Sequence, residues 1–363
     1  MTGDRPARVP RASVLTAAAL ALALQAAPAR ATFSIVAYDS LTQELGVAVQ
    51  SRAFSVGMAV PWAEAGVGAI ATQAATNESF GPEGLALLRK GKPAPEVVRA
   101  LVASDSGATH RQLGVVDAKG RSAAYTGSDC SSWAGQRTGP GYSIQGNILA
   151  GEAVVTEMER AFLATKGELA ERLLAALDAG QAAGGDKRGM QSAAILVVRP
   201  SDAYPEYRTR YIDLRVEDAK EPIRELHRVF SMLEAQRLAE AHLRYAAAYD
   251  AAGKKDLART ERERVGEALR RALARQENDP STLNGLAWTC ATNDVHLDDA
   301  LDAAKRAVAL EPKNTGILDT LAEVWFRRGD AAKAIEVESG ALALAPDDAY
   351  LKGQLARFRA GAK

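Results

Sequence analysis

Thr32 is the residue whose chemistry is most specific in this sequence. It directly follows the run Ala-Arg-Ala at 29–31, whose small first and third residues match the cleavage pattern of secretory signal peptides. Cleavage there makes Thr32 the first residue of the mature chain. A free α-amine has a pKa of about 7.7–8.0, so it can act as general base at neutral pH. An amine and a hydroxyl on one residue predict a nucleophile that needs no histidine.

Other catalytic side chains are scarce near Thr32. Between Thr32 and Leu88 there is no histidine and no cysteine, and Arg52 is the only basic residue. A Ser-His-Asp triad or a histidine-rich metal site would have to be built around His110, the only histidine before His227. The whole chain has 2 cysteines and 4 histidines, too few for a disulfide scaffold or a Cys/His zinc module. We therefore expect a site without metal or cofactor.

A small set of polar residues is predicted to complete the site. Asn147 can donate its amide into an oxyanion hole. Asp186 can orient the Thr32 amine, and Ser192, at the start of a predicted strand, can form a hydrogen bond with it. For each residue the alternative is a structural role, as a loop cap, a turn residue or a polar strand edge. The residues predicted to bind substrate are Gln50, Ser51, Arg52 and Gln73.

Residues 1–31 are predicted to be a signal peptide and not part of the fold. Arg5, Arg8 and Arg11 precede an Ala/Leu-rich apolar stretch at 14–27, which is shorter than the roughly 20 residues that span a bilayer. The alternative is an uncleaved, loosely ordered arm. Cleavage predicts a periplasmic or secreted protein with no membrane span in its mature chain.

Length and charge limit the classes of protein. The chain has 363 residues, of which 47% are hydrophobic and 25% are charged, as in an ordinary globular protein with two domains. Its 45 basic residues balance its 45 acidic residues, which argues against a dedicated nucleic-acid binder.

The elements that must position these residues lie in a first region, 32–218, with a mixed strand and helix pattern. Several strands follow one another and the helices come in pairs. Because strands and helices do not alternate strictly, this pattern predicts a layered α+β domain. The expected strands are 32–38, 45–50, 59–62, 67–72, 113–116, 122–125, 191–198 and 208–214. The expected helices are 84–90, 94–103, 151–165 and 169–183.

A second region, 219–363, has helical periodicity and no strand signal. Ala-Leu-Glu-Pro312 and Ala-Leu-Ala-Pro346 recur 34 residues apart, which is about the tetratricopeptide period. Two units are fewer than the three or so that usually share a core, so helices in 219–279 are expected to complete the stack. This pattern predicts an all-α repeat region that binds a protein partner or self-associates. A packing appendage without a ligand is the alternative.

Several longer stretches resemble a known family. They are Thr32–Ala37, Glu44–Ser51, Val60–Gly68, Ala71–Ala74, Gly146–Gly151, Gly180–Gly189 and Gln191–Ala194. Over about 32–229 the chain resembles the bacterial family called domain of unknown function 1028. That resemblance implies the N-terminal-nucleophile hydrolase superfamily, a four-layer αββα fold, and an amide-bond hydrolase with Thr32 as nucleophile.

Together these features predict an exported amidohydrolase acting on a small-molecule or peptide-like amide. The alternative is a catalytically inactive scaffold whose repeats recruit a protein partner. Residues 32–230 are expected to fold alone, because they hold a full set of strands and covering helices and are long enough for a stable core.

Overall fold

The computed structural model describes residues 32–200, 209–274 and 278–361. The predicted signal peptide therefore lies outside the described residues. A sheet-rich first region is followed by an all-helical region, which confirms the mixed α+β organisation expected from the sequence. The strands are β1 (Thr32–Tyr38), β2 (Leu45–Ser51), β3 (Pro61–Glu64), β4 (Gly68–Ala74), β5 (Arg111–Asp117), β6 (Ser122–Thr126), β7 (Gly135–Gly139), β8 (Tyr142–Asn147), β9 (Ser192–Val198) and β10 (Arg210–Val216).

Helices cover the sheets and make up the rest of the described chain. The helices of the first region are α1 (Val56–Ala59), α2 (Phe80–Arg89), α3 (Ala94–Ser104), α4 (Ala153–Ala164) and α5 (Leu169–Ala182). Those that follow are α6 (Pro222–Leu233), α7 (Ala239–Ala251), α8 (Lys255–Ala274), α9 (Pro280–Thr292), α10 (Leu297–Leu310), α11 (Thr315–Arg327), α12 (Ala331–Leu344) and α13 (Ala349–Gly361). A short π-helical turn, Glu234–Leu238, joins α6 to α7.

The strands form two antiparallel sheets. The six-stranded sheet has the order β10-β9-β2-β1-β8-β7, and the four-stranded sheet has the order β3-β4-β5-β6. β1 lies inside the larger sheet, between β2 and β8. β7 and β8 were not expected from the sequence. Polar Ser143, Gln145 and Asn147 alternate with Tyr142 and Ile144 along β8. Because half of these residues are polar, the sequence does not indicate that the strand is buried.

Alternation along the strands assigns each side chain to one of two faces. Phe33 and Ile35 belong to a core shared with α4 and α5, whereas Val36 belongs to the core between the two sheets. A third core, which includes Ile70 and Leu113, lies between the four-stranded sheet and α2 and α3. The layers therefore run helices, sheet, sheet, helices, and the space between the sheets is the innermost part of this region.

The boundary expected after residue 218 precedes a helix that packs on the first region. Ile223, Leu226 and Phe230 of α6 share the core of α4 and α5 with the six-stranded sheet. Pro222 begins α6 at a position where its missing N–H costs no helical hydrogen bond. In packing terms α6 belongs to the sheet-rich region, and the separate helical core begins at Ala235.

A buried network of charged side chains joins the two regions. Arg199, just beyond β9, lies 3.1 Å from Glu44 and 2.7 Å from Glu261 of α8, and all three side chains are fully buried. Arg264 approaches the same two carboxylates at 3.3 and 3.4 Å. The Arg199 guanidinium also stacks 3.8 Å from the ring centroid of Tyr245 on α7. The first region is therefore bound to α7 and α8 through charges that water does not reach.

Burial and pairing act in opposite directions on the pKa values of this network. Burial raises the pKa of Glu44, against the opposing charges of Arg264 and Arg199. Burial alone would also raise the pKa of Glu261, but the hydrogen bond with His242 and the two arginine charges lower it to about 2. Glu261 therefore remains a carboxylate at neutral pH and can pair with Arg199.

The last helices pack as successive neighbours around an alanine-rich core that includes Ala287, Ala304 and Ala307. Asp279 and Asn314 cap the first turns of α9 and α11, because their side chains accept hydrogen bonds from backbone N–H groups there. Within the described ranges, every helix is either too short or too polar to cross a bilayer.

Candidate functional site

Thr32 lies in a row of polar residues that crosses four strands. Its pairing partners are Ser51 on β2 and Asn147 on β8, and Ser51 in turn pairs with Ser192 on β9. Directly opposed residues of antiparallel strands point to the same face, with Cβ atoms about 4.5–5.5 Å apart. This face is the one between the sheets. Residues far apart in the sequence therefore meet beside the Thr32 hydroxyl.

The hydroxyl of Thr32 is held within this row. Its Oγ1 lies 3.0 Å from the Oγ of Ser51, and either atom can be the donor. Thr32 is 2% exposed, and Ser51 and Asn147 are 0% and 1% exposed. The site is therefore closed to bulk water in this conformation, which strengthens every hydrogen bond inside it.

A cluster of buried amides lies next to the row. Gln73 of β4 donates from Nε2 to the backbone carbonyl of Thr32, at 3.3 Å, and to Oε1 of Gln112, at 2.8 Å. Asn147 donates from Nδ2 to the same Gln112 oxygen, at 3.1 Å. Gln145 of β8 donates to the hydroxyl of Ser34, at 2.6 Å. Hydrogen bonds between the sheets thus connect Thr32 to Asn147 through Gln73 and Gln112.

The loop 184–189 crosses the end of β1 where Thr32 lies. Asp186 forms a β-bridge with Leu149, just beyond β8. Its carboxylate also accepts the backbone N–H of Arg52, just beyond β2, at 2.8 Å. Because β1 lies between β8 and β2, a loop bonded beyond both neighbours must pass in front of Thr32. Asp186 therefore lies beside the site, and its predicted role of orienting the Thr32 amine stays a prediction.

The contacts of Asp186 show what it holds in place. Its fully buried carboxylate forms an ion pair of 3.1 Å with Arg188 and accepts the Arg188 backbone N–H at 2.8 Å. Arg52, a predicted substrate-binding residue, is exposed, and its guanidinium donates to the Arg188 carbonyl at 3.4 Å. Asp186 thus fixes the loop and the backbone that follows Ser51.

Ser192 belongs to the row, but its hydroxyl serves the turn after β2. Its Oγ donates to the carbonyl of Ala53 at 2.5 Å and accepts the N–H of Val56 at 3.1 Å. The sequence had predicted a hydrogen bond from Ser192 to the Thr32 amine. The side chain instead stabilises the turn that leads into α1 through these two hydrogen bonds.

Gln50, predicted to bind substrate, is directed away from Thr32. Val47 and Val49 of β2 lie in the core between the sheets, whereas Ala48 lies in the core under α4 and α5. The period of two therefore places Gln50 on the helix-covered face. Both of its amide atoms are buried without a hydrogen-bond partner among the described residues. Gln50 is followed directly by Ser51, whose side chain points to the other face of the sheet and contacts Thr32.

Sequence reasoning missed three members of the site: Ser34, Gln112 and Gln145. Each is a fully buried polar residue inside a strand. In β5, Gln112 directly precedes the apolar Leu113. A polar residue next to an apolar run is usually interpreted as the end of the strand. A signal was nevertheless present, because Ser34 shares the strand and the period of two with Thr32.

One group of acids has the spacing for a metal ion in the part of the chain described. Oxygen atoms of Glu168, Glu171 and Glu234 lie within 4.8 Å of one another. Arg271 forms ion pairs with Glu171 and Glu234, so a guanidinium already supplies the positive charge there. Burial raises the pKa of Glu171 to about 8 even beside that guanidinium. This group belongs to the α5 side of the molecule and not to the Thr32 row.

The match to a known family falls on the sheet-rich region of the chain. The model of a family of unknown function, DUF1028, matches residues 32–226. The crystal structure of protein SPO2555 from Silicibacter pomeroyi, described as DUF1028, is similar to this chain at 34% identity and a TM-score of 0.52, covering 56% of this chain and 86% of that one. Naa15/Naa10 bound to HypK-THB matches at 23% identity over 39% of this chain and 21% of that one, and its TM-score of 0.26 carries no conclusion. No curated protein matches the chain.

Proposed function

Because the chain belongs to the family of unknown function DUF1028, we propose that this family's region acts here as an amide-bond hydrolase with Thr32 as its nucleophile. The observation that carries the proposal is the register of β1. It places a threonine hydroxyl, at the candidate mature N-terminus, between Ser51 and the side-chain amide of Asn147. The layer order of helices, two sheets and helices supports placing the region among the N-terminal-nucleophile hydrolases.

The proposed reaction is acyl transfer to water in two steps. The free α-amine of Thr32 takes the hydroxyl proton while Oγ1 attacks the substrate carbonyl, and an N–H of Asn147 stabilises the resulting oxyanion. The amide C–N bond then breaks, the leaving nitrogen takes the proton, and an ester remains on Thr32. Water attacks this ester with the amine again as base, which releases the acid and restores the hydroxyl.

The amine of Thr32 is the base in this scheme. The neighbouring side chains in the row are hydroxyls and an amide, which have no proton affinity near neutral pH. Arg52 and Arg188 beside the site offer N–H donors and no atom that accepts a hydrogen bond. The substrate class is an amide or peptide-like compound, and the proposed location is the periplasm or outside the cell.

We propose a tetratricopeptide-like stack for the all-helical region, with a protein partner or a second copy of the chain as its ligand. The spacing of helix starts supports this. α10 and α12 begin at Leu297 and Ala331, and α11 and α13 begin at Thr315 and Ala349, so both intervals are 34 residues.

The mature protein is expected to begin at Thr32. Export with cleavage after residue 31 supplies the α-amine that the reaction needs, since an internal threonine has only an amide nitrogen there. N-terminal sequencing of the protein recovered from the periplasm or medium tests this. Ala31→Arg, which removes the small residue before the cut, is the control that should block cleavage. A mature chain that starts two residues away from Thr32 would contradict the proposed mechanism.

A further inference from the structure

Gln112 has two different hydrogen-bonding sides. Its amide nitrogen donates to the backbone carbonyl of Gly146 at 2.8 Å and to the hydroxyl of Thr126 at 2.9 Å. Its amide oxygen accepts from Gln73 at 2.8 Å and from Asn147 at 3.1 Å. Gln112 is completely buried, so none of these bonds competes with bulk water.

Backbone carbonyls fix which way this amide faces. A carbonyl oxygen can only accept a hydrogen bond, so the group facing Gly146 must be the nitrogen of Gln112. The oxygen of Gln112 must then face Asn147. The same logic applies to Gln73, whose nitrogen faces the carbonyls of Thr32 and Gln145 at 3.3 Å each. The usual ambiguity of amide orientation is therefore removed by the main chain.

The orientation of Gln112 determines that of Asn147. An acceptor oxygen on Gln112 requires Asn147 to present its NH2 group on that side, which is the face it shares with Thr32. One of the two hydrogens of this NH2 group bonds to Gln112, and the contacts within the described residues leave the second available. If the Gln112 amide were reversed, Asn147 would present its oxygen instead and would repel a developing oxyanion.

We propose that Gln112 is a positioning residue that holds the Asn147 amide as a donor for the oxyanion formed at Thr32. The inference deepens the proposed function and rests on it. Gln112 does not contact the reacting atoms itself. Its nitrogen is held by the backbone carbonyls of Gly146 on β8 and Gly135 on β7, its oxygen therefore faces Asn147, and its effect on the reaction passes through Asn147.

The test uses a β-lactone as probe on the full mature chain. Oγ1 of Thr32 attacks the lactone carbonyl through an oxyanion, the ring C–O bond breaks, and the hydroxyl proton passes through the amine to the released alkoxide. The product is an ester whose mass is that of protein plus lactone, so intact-mass spectrometry yields the maximal labelling rate and the half-saturating concentration. Peptide mapping locates the label.

Three variants separate positioning from general support of the fold. Gln112→Met keeps the side-chain length but loses every hydrogen bond. Thr72→Ala removes a buried hydrogen bond outside the site, because Thr72 lies on the helix-covered face of β4 and its hydroxyl donates to the carbonyl of Asn77 at 3.0 Å. Asn147→Ala removes the proposed donor. The double variant Gln112→Met/Asn147→Ala completes a double-mutant cycle.

Gln112→Met is expected to lower the maximal labelling rate about 10- to 100-fold, because removing one oxyanion donor costs about 100- to 1,000-fold and misplacing it costs less. The half-saturating concentration should change little. Thr72→Ala should lower the melting temperature and leave the labelling rate near that of the wild type. In the Asn147→Ala background, Gln112→Met should produce no further loss.

The failures of the two proposals can be told apart. A wild-type protein that gains no label, or gains it equally in Thr32→Ala, overturns the proposed function and the inference with it. Labelling at Thr32 with equal rates in Gln112→Met and Thr72→Ala overturns the inference alone. Multiplicative losses in the double variant would also overturn it, since they would show that Gln112 acts independently of Asn147.

Discussion

Replacing Thr32 by alanine is expected to lower amide hydrolysis by at least about 1,000-fold, since removing the nucleophile of a hydrolase leaves only binding and oxyanion stabilisation. Thr32→Ser should retain part of the activity, because serine keeps both the amine and the hydroxyl. It loses the methyl group that helps to fix the side-chain rotamer in a strand. Both variants must first be shown to begin at residue 32 by N-terminal sequencing.

The measurement is turnover of a panel of peptide and N-acyl amides, with mass spectrometry of the acid-quenched enzyme to detect an ester on residue 32. Thr72→Ala is the matched control. Thr72 is a fully buried threonine of β4 whose hydroxyl donates to the carbonyl of Asn77 at 3.0 Å, on the helix-covered face of its sheet. It should lose some stability and keep its turnover.

Two results would count against the hydrolase. Turnover by Thr32→Ala at the wild-type rate would assign the chemistry to another residue. A wild type that is correctly processed, folded and inactive across the panel would favour the alternative of an inactive scaffold, in which the repeats recruit a partner. In that case Thr32→Ala should bind the same partner as the wild type does.

Arg199→Met is expected to destabilise the protein by about 3–5 kcal/mol, the usual cost of removing one member of a buried ion pair. The loss would leave the fully buried Glu44 without its 3.1 Å partner and would remove the 2.7 Å pair with Glu261. Arg264 remains near both carboxylates, and Glu261 keeps its 2.8 Å hydrogen bond with His242. Methionine fills most of the space of the arginine stem, so a cavity contributes little to the expected loss.

Thermal unfolding of the mature chain measures this effect, with a fall in melting temperature of about 5–15 °C expected. Arg224→Met is the control, since Arg224 also pairs with a glutamate but is 80% exposed in its side chain. Exposed pairs contribute about 0–1 kcal/mol, so its melting temperature should barely change. Equal melting temperatures in the two variants would show that the buried network does not hold the regions together.

The same network bears on whether residues 32–230 fold alone, as the sequence predicts. Such a fragment would lose Glu261, His242 and Tyr245, and would expose Arg199 and Glu44 to water. Their charges would then be solvated, so the cost comes mainly from apolar surface that α7 and α8 no longer cover. If Arg199→Met also lowers turnover at Thr32, the helical region supports the site through this contact.

The amino-acid sequence by itself determined the features that depend on nearby residues. The run of β-branched and apolar residues in 32–38 predicted the strand that begins at Thr32, and the 34-residue recurrence at Pro312 and Pro346 predicted a helical repeat. A strand is recognised within a short window of neighbouring residues, and a repeat is recognised by comparing two stretches of the sequence, so neither prediction needs tertiary contacts. The prediction of a nucleophile at Thr32 was also local, since the candidate amine and hydroxyl belong to one residue.

Only the tertiary structure decided which residues surround Thr32. Asn147 is 115 positions away, on a strand that the sequence did not reveal, and it reaches Thr32 through pairing register. A shift of one residue in that register would turn Asn147 to the other face, as the opposite directions of Gln50 and Ser51 illustrate. The partners of Arg199 are likewise set by packing between distant segments. Register and packing depend on the whole chain at once, whereas propensity and periodicity depend on a few neighbours.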